Sequence, residues 1–451
     1  MASADIELHV RPAGGTAPFR RGMVPKAFHG ASPAGADPPH PHIPHFFRHP
    51  PALTKRFSDG EPSVTEPGSR LRVYHLALKM LLGDRAKYVM LLGGLTFASL
   101  LMTQQCAVFF GLLSWTTSHL NNMQAELWVV EPKVEQANEL KPLRDTDVSR
   151  VRSVSGVSWA VPLYAGILQA RLQDGNFKPV TLVGLDAATL IGRPAVMIEG
   201  DIEALRKPNS VIIDEYALKR LRTPGGAPLD LNSTFEINDR EARVVGICKA
   251  DRHFFGYPYV FATYDQALQF APRQRKMLSA VLAAPKPGLS AAEAARRIQT
   301  ETGLKTYTRD ELFWSTIWWY FKNTGIPISF GTTIILGFLV GIAVSGQTFY
   351  SFVLENLRHL GALKAMGASD GLLARMLILQ ALTVGVLGYG IGTLLACGFG
   401  MGALKRGEPP FMMPWQLPAG VLGVILFICL CAAMLGILKV RRLEPAIVFR
   451  G

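Results

Sequence analysis

Asp, Glu, Lys, Arg and His vanish from four stretches of the chain, residues 88–118, 327–354, 376–404 and 419–438. Each is an apolar run long enough to cross a bilayer as a helix, which takes about 20 residues. The first and second runs are separated by some 200 residues of ordinary polar sequence, the last three only by short polar segments. The pattern predicts an α-helical membrane protein with four transmembrane helices and an α/β extracytoplasmic domain inserted between helices 1 and 2.

Residues 1–69 lack apolar periodicity and are rich in Pro, Gly and His, the composition of a disordered cytoplasmic tail. The tract Pro39–His45 offers imidazoles without a fixed geometry to gather them, so no metal site is expected. No signal peptide is expected either. In 70–87, Leu71, Tyr74, Leu78 and Leu81 repeat at intervals of three and four, with Arg72, His75 and Lys79 on another face. That spacing predicts an amphipathic helix at the membrane interface. Arg70, Arg72, Lys79, Arg85 and Lys87 precede the first span, which puts the N-terminus in the cytoplasm by the positive-inside rule.

The inserted domain, 119–325, has strand candidates at Leu127–Val130, Val180–Val183, Ser210–Ile213, Thr234–Ile237, Arg243–Ile247 and Tyr259–Ala262, each rich in β-formers and bounded by turn residues. Leu278–Ala283, Ala291–Gln299 and Leu304–Thr306 read as strand, helix, strand, with Ser290 and Glu293 spaced as a capping box. Pro224–Pro228 must turn. His253, beside Asp251 and Arg252, is read as a surface-loop residue, and no catalytic constellation is found. Phe313, Trp314, Trp318, Trp319, Tyr320 and Phe321, just before the second span, suit an interfacial aromatic belt.

The second span carries Gly337 and Gly341, and the third Gly388 and Gly392, at the spacing that lets helix backbones approach; Gly398 and Gly402 repeat it. Between these spans lies the polar segment 355–375, with Glu355, Arg358, His359, Lys364 and Asp370. Residues 405–418 form a short external loop whose Lys405 and Arg406 run against the positive-inside rule. Residues 439–451 return to the cytoplasm, making a multi-pass membrane protein with both termini inside.

The chain has 451 residues and a formal charge of +13. The excess fits flanks that meet anionic membrane lipid; the basic residues are scattered, so a nucleic-acid partner is not expected. Cys106, Cys397, Cys429 and Cys431 fall in apolar runs and Cys248 in the polar domain, with no disulfide or zinc spacing. The spans hold none of the ionisable residues that secondary transporters use as relays. No GxxxxGK[ST] phosphate cradle occurs, so ATP-driven work would need a nucleotide site on another polypeptide.

The segment Glu355–Ala368, ENLRHLGALKAMGA, resembles the cytoplasmic loop of the MacB/FtsX-type ABC transporter permeases, and Arg441–Arg450 is similar to their C-terminal ending. Met123–Pro132, and Gly325–Ile328 leading into the second span, are similar to the DevC-like exporter branch; Ser210–Glu215 and Arg243–Ile247 match the family's external domain. The resemblance covers about residues 75–450. It implies a homodimer of the cell inner membrane working with a separate ABC ATPase subunit, with ATP and Mg on that partner and no cofactor or catalytic residue on this chain. The contact with the ATPase would fall on Glu355, Arg358, Gly361, Lys364, Met366 and Gly367. Leu360 and His359 stand where the family often has other residue types. Force would pass by mechanotransmission to the periplasmic domain, in a tripartite efflux system with a membrane-fusion adaptor and an outer-membrane channel. Alternatives are an FtsX-like regulator of a cell-wall hydrolase, a Lol-type lipoprotein-release permease and a membrane receptor.

Overall fold

Four helices carry the apolar runs, and each is long and apolar enough to cross a membrane: α2 (Arg85–Thr116), α9 (Ile326–Glu355), α11 (Asp370–Arg406) and α12 (Gln416–Arg441). The computed structural model describes residues 67–83, 85–221, 229–272 and 277–442. The residues from Val64 onward form one unit. All but the last three residues of the expected N-terminal tail, the turn Pro224–Pro228 and the ending 443–451 lie outside the described residues.

Ahead of the spans, α1 (Pro67–Gly83) buries Ala77 and Leu81 against the helix bundle, and its Ala77 carbonyl accepts from Gln380 Nε2 of α11 at 2.7 Å. Leu76 and Leu82 remain exposed. The helix is thus held by protein on one side as well as suited to lipid on the other.

Among the spans, α2 packs on α9, α11 and α12. Two apolar helices gain nothing by leaving lipid for each other, so close approach has to come from small side chains. A Cβ on Gly392 would lie 2.6 Å from the Thr96 carbonyl oxygen of α2, and one on Gly388 would lie 2.9 Å from Leu95 Cβ. Gly341 faces Ala98 of α2 and Ile428 of α12, Gly337 faces Leu101 and Met102, and Gly385 meets Cys429. Gly398 and Gly402 have nothing within 4 Å; their neighbour Gly400 carries the packing, against the Phe411 ring. Ser99 Oγ of α2 donates to the Tyr389 carbonyl, and the Tyr389 hydroxyl donates to the Pro418 carbonyl at the start of α12.

Between α2 and α9 lies the inserted α/β domain. Its helices are α3 (Ser118–Asn122), α4 (Thr146–Arg152), α5 (Ala217–Arg220), α6 (Tyr264–Phe270), α7 (Ala291–Thr302) and α8 (Arg309–Asn323). Its strands are β1 (Leu127–Val130), β2 (Val157–Arg171), β3 (Phe177–Leu185), β4 (Val196–Gly200), β5 (Ser210–Asp214), β6 (Thr234–Ile237), β7 (Arg240–Lys249), β8 (Tyr259–Thr263), β9 (Ala280–Pro285) and β10 (Lys305–Thr308). They join one sheet in the order β10-β1-β9-β2-β3-β8-β5-β7-β4, with β6 bridging β2 and β7. The pairs β3–β8 and β5–β7 are parallel and the rest antiparallel. The central strands β5, β8 and β9 are buried on both faces, so they read as largely apolar runs without alternation.

The longest strand, β2, was not among those expected. It holds β9 through Val157–Leu163 and β3 through Tyr164–Arg171, joining the two halves of the sheet. Pro162 and Gly166 interrupt its strand pattern, yet Pro162 falls where β2 has a ladder partner on one side only, a place where a proline is tolerated. The exposed edge strand β4 was missed because it has no buried face to impose alternation.

Ser290 caps α7 by accepting from Glu293 N, but the Glu293 carboxylate turns to Arg297, so only half the expected box forms. The complete box is at α8, where Thr308 and Glu311 bond each other's backbone N–H. That cap starts the helix through which the chain leaves the domain, and only Thr324 and Gly325 separate α8 from α9.

Gly392→Leu is expected to lower the melting temperature of the detergent-solubilised chain and to reduce its monodisperse fraction in size-exclusion chromatography. Gly398→Ala, in open space, should match the wild type in both.

Candidate functional site

The segment expected to be a coupling loop is largely a helix. Here α10 (Leu357–Ala365) follows α9 after Asn356 alone, and Gly367 (φ 95°) turns the chain into α11. Only glycine adopts that φ without strain. Ser369 then caps α11, accepting from Leu372 N.

This end of the bundle is tied together by charge. Lys87 at the start of α2 pairs with Glu355 at the end of α9. Lys364 pairs with Asp370, the first residue of α11, at 2.9 Å. An acid in the first turn of a helix also sits favourably on its dipole. Two residues expected to meet a partner, Glu355 and Lys364, therefore have bonds inside the chain. Leu360 and Gly361 are buried, packing α10 onto the bundle. Arg358 and Gly367 are exposed, and Met366 is 76% exposed. Thus α10 holds its buried face with Leu360 and Gly361 and presents Arg358 and Met366 outward.

At the other end of the bundle the domain meets the end of α2 and the turn that follows α11. The α3 helix continues α2 after Thr117, and its Asn122 exchanges bonds with Asp251: Asp251 N donates to Asn122 Oδ1 at 2.7 Å, and Asn122 Nδ2 donates to the Asp251 carbonyl at 2.8 Å. Asn138 Nδ2 donates to the Thr116 carbonyl that ends α2. Arg252 donates to the Gly407 carbonyl, where α11 ends. The Tyr216 hydroxyl donates to Glu408 Oε1 at 2.5 Å. These bonds give a role to the turn whose Lys405 and Arg406 run against the positive-inside rule; the same two cations close the last turn of α11, where the helix dipole favours them.

His253 is not a surface residue. It is 1% exposed, stacked on Tyr257, with its ring centroid 5.4 Å from that of His119. The sequence signal that could have placed it is the apolar and aromatic run that follows, Phe254, Phe255, Tyr257 and Tyr259. Phe255 N donates to His253 Nδ1, which therefore carries no proton. His119 Nδ1 and the Tyr259 hydroxyl lie 3.0 Å apart, and that hydroxyl is 2.9 Å from Ser118 Oγ. Burial lowers His253 to about 4, and burial followed by the charge of His253 lowers His119 to about 3. Burial pushes Asp214 up to about 7, against the two backbone N–H groups it accepts from. Among the described residues no group of three or more His, Cys, Asp or Glu could hold a metal.

The expected aromatic belt lies on α8. Trp314, Trp318 and Phe321 are exposed, whereas Tyr320 is buried against Phe254 of the domain.

Four apolar helices, a large inserted α/β domain and a compact helix at the opposite end define a multi-pass membrane protein. Residues 92–301 match the family described as MacB-like periplasmic core domain, and residues 331–445 match the FtsX-like permease C-terminal family. The chain belongs to the MacB/FtsX-type ABC transporter permeases. It is 24% identical over 316 residues to uncharacterized ABC transporter permeases from two strains of Mycobacterium tuberculosis, covering 69% of this chain and 80% of theirs. It is 21% identical over 379 residues to the macrolide export ATP-binding/permease protein MacB of Sodalis glossinidius, covering 79% of this chain and 56% of that protein. Among solved structures, the periplasmic region of MacB from Actinobacillus actinomycetemcomitans aligns at 12% identity and a TM-score of 0.32, over 46% of this chain and 96% of that one. The extracellular domain of YknZ from Gram-positive bacteria aligns at 16% identity and a TM-score of 0.30, over 41% and 98%.

The sign of the histidine effect is fixed by its direction. A histidine held neutral in the fold stabilises fully above its ordinary value of 6.5, and that stability is lost as pH falls toward the folded value; for His253 the window is 6.5 to about 4. Asp214 opposes it, contributing fully below 3.8 and losing that contribution as pH rises through about 7. Comparison with His253→Gln isolates the imidazole. Between pH 7 and pH 5 the wild type should lose about 2 kcal/mol more unfolding free energy than the variant. Denaturant unfolding of the full chain in detergent reads it, and parallel pH curves would mean the folded ring is protonated freely.

Proposed function

We propose that this chain is the permease subunit of an ATP-driven exporter of the DevC-like kind, working as a homodimer with a separate ABC ATPase. The observation that carries the reading is α10: a short helix packed onto the bundle end opposite the inserted domain, presenting Arg358 and Met366 outward. Arg85, Lys87, Lys439, Arg441 and Arg442 gather at that end, which the positive-inside rule makes cytoplasmic. An ATPase docked there would press on α10, and the ties of Lys87 to Glu355 and Lys364 to Asp370 would pass the displacement to α2, α9 and α11. The apolar runs of the spans are packed by glycine contacts and hold no Asp, Glu, Lys, Arg or His, an arrangement suited to transmitting motion rather than relaying ions. The domain outside would then be displaced mechanically, with ATP and Mg held by the ATPase. A membrane-fusion adaptor and an outer-membrane channel would complete the export path. The curated relatives named as permeases or as a macrolide exporter support the class and leave the cargo open.

Purification of the full chain from its host in mild detergent is expected to bring an ABC ATPase with it. Arg358→Glu and Met366→Asp should each weaken that association about tenfold, roughly 1.4 kcal/mol, without moving the melting temperature. Unchanged retention of the ATPase in both variants would move the contact elsewhere. Lys364→Glu should also weaken it; restoration by the added exchange Asp370→Lys would show that Lys364 acts by shaping the turn. A cell-wall hydrolase in place of an adaptor among the co-purifying proteins would favour the regulator over the exporter.

A further inference from the structure

On the force-transmission reading the domain follows the spans, and besides its two chain connections one loop makes contacts that reach toward them. The loop joining β7 to β8 would ordinarily lie on the surface and need only close the chain. Here three of its residues engage three elements that adjoin the spans: α3 after α2, α8 before α9, and the turn after α11. Asp251 is bonded in both directions to Asn122 of α3, and its carboxylate accepts from Asn121 Nδ2 at 2.9 Å, so it follows α2. Phe254 packs on Tyr320 of α8 with ring centroids 4.7 Å apart, so it follows α9. Between them, Arg252 reaches the α11–α12 turn and donates to the Gly407 carbonyl.

The Arg252 contact is built rather than incidental. Its guanidinium lies 3.7 Å from the centroid of the Tyr216 ring and 5.8 Å from that of Trp115, near the end of α2. A cation over an aromatic face is attracted by the ring quadrupole. Tyr216 in turn bonds Glu408, so the domain grips the turn at two adjacent residues. The guanidinium also sits at the C-terminal, negative end of the α11 dipole. Gly407 is in the left-handed region (φ 86°), and a Cβ there would fall on the guanidinium, so glycine is needed both for the turn and for the contact.

We propose that the loop Asp251–Pro258 is the node through which movement of the spans reaches the inserted domain, and that Arg252 is its positioning residue, linking the domain to α11 and α12. The proposal rests on the force-transmission reading above. It says which contact carries the motion outward, a matter separate from where the ATPase docks.

The test is hydrogen exchange by mass spectrometry on the full chain in nanodiscs with its co-purified ATPase, with ATP plus vanadate and without nucleotide. In the wild type, nucleotide should change exchange both in α10 and in the inserted domain. In Arg252→Ala the α10 response should persist while the domain response falls by about fivefold or more, the lower end of usual coupling strengths. Arg252→Lys should recover part of it. Tyr216→Phe, which keeps the ring beneath the guanidinium and removes only the bond to Glu408, should show an intermediate loss and serves if the alanine variant misfolds. A purely structural role would instead alter exchange in the domain equally with and without nucleotide, and that result overturns the proposal. So does a domain response in Arg252→Ala equal to the wild type. A wild type that responds in α10 but never in the domain would overturn force transmission itself, and the node with it. A wild type silent in α10 would overturn the docking site, and with it the reading on which the node rests.

Discussion

Close contact between the backbones of α2 and α11 is the constraint on which the rest depends. In lipid there is no hydrophobic gain from putting two apolar helices together, so the helices must approach until dispersion and weak polar contacts suffice. Gly388 and Gly392 permit that approach to Leu95, Thr96 and Ser99. Once α2 and α11 are joined along their length, the positions of both helix ends follow. At one end Lys87 meets Glu355 and α10 is set against the bundle; at the other, Thr116 and Gly407 are brought beneath the same face of the domain.

The polar interactions are placed accordingly. Between the middles of the spans there are few, such as the Ser99 hydroxyl on the Tyr389 carbonyl, and the buried hydroxyls of Thr103, Ser345 and Thr393 there have no hydrogen-bond partner among the described residues. The directional bonds are at the ends, where helix termini leave backbone groups unpaired. Glycine packing resists separation of the helices but offers little against sliding along them, whereas the end bonds fix register.

The membrane architecture was legible in the sequence because a bilayer enforces one rule strongly: charge is excluded from the spans. Within the domain, strands buried on both faces were legible as Val- and Ile-rich runs. β2 was not, because Pro162 and Gly166 look like breakers until the pairing partners are known. The mistaken exposure of His253 has a similar origin. Its neighbours Asp251 and Arg252 are polar, and nothing in local pattern reveals that they are consumed by Asn122 and Gly407, elements distant in sequence. The polar segment after α9 was recognisable as a contact surface by resemblance, but charge alone could not tell that Glu355 and Lys364 are partnered within the chain while Arg358 and Met366 face outward.

The continuity of β2 has a consequence for how the domain can respond to load. A single strand is hydrogen-bonded to β9 along its first half and to β3 along its second, so bending one half of the sheet against the other would break ladder bonds on a shared beam. The chain enters and leaves the domain through the single residue between α2 and α3 and through Thr324 and Gly325 between α8 and α9. Displaced by the spans as proposed, the domain would move with its two sheet halves locked together, and a small tilt at its base would become its largest travel at the tip farthest from the membrane.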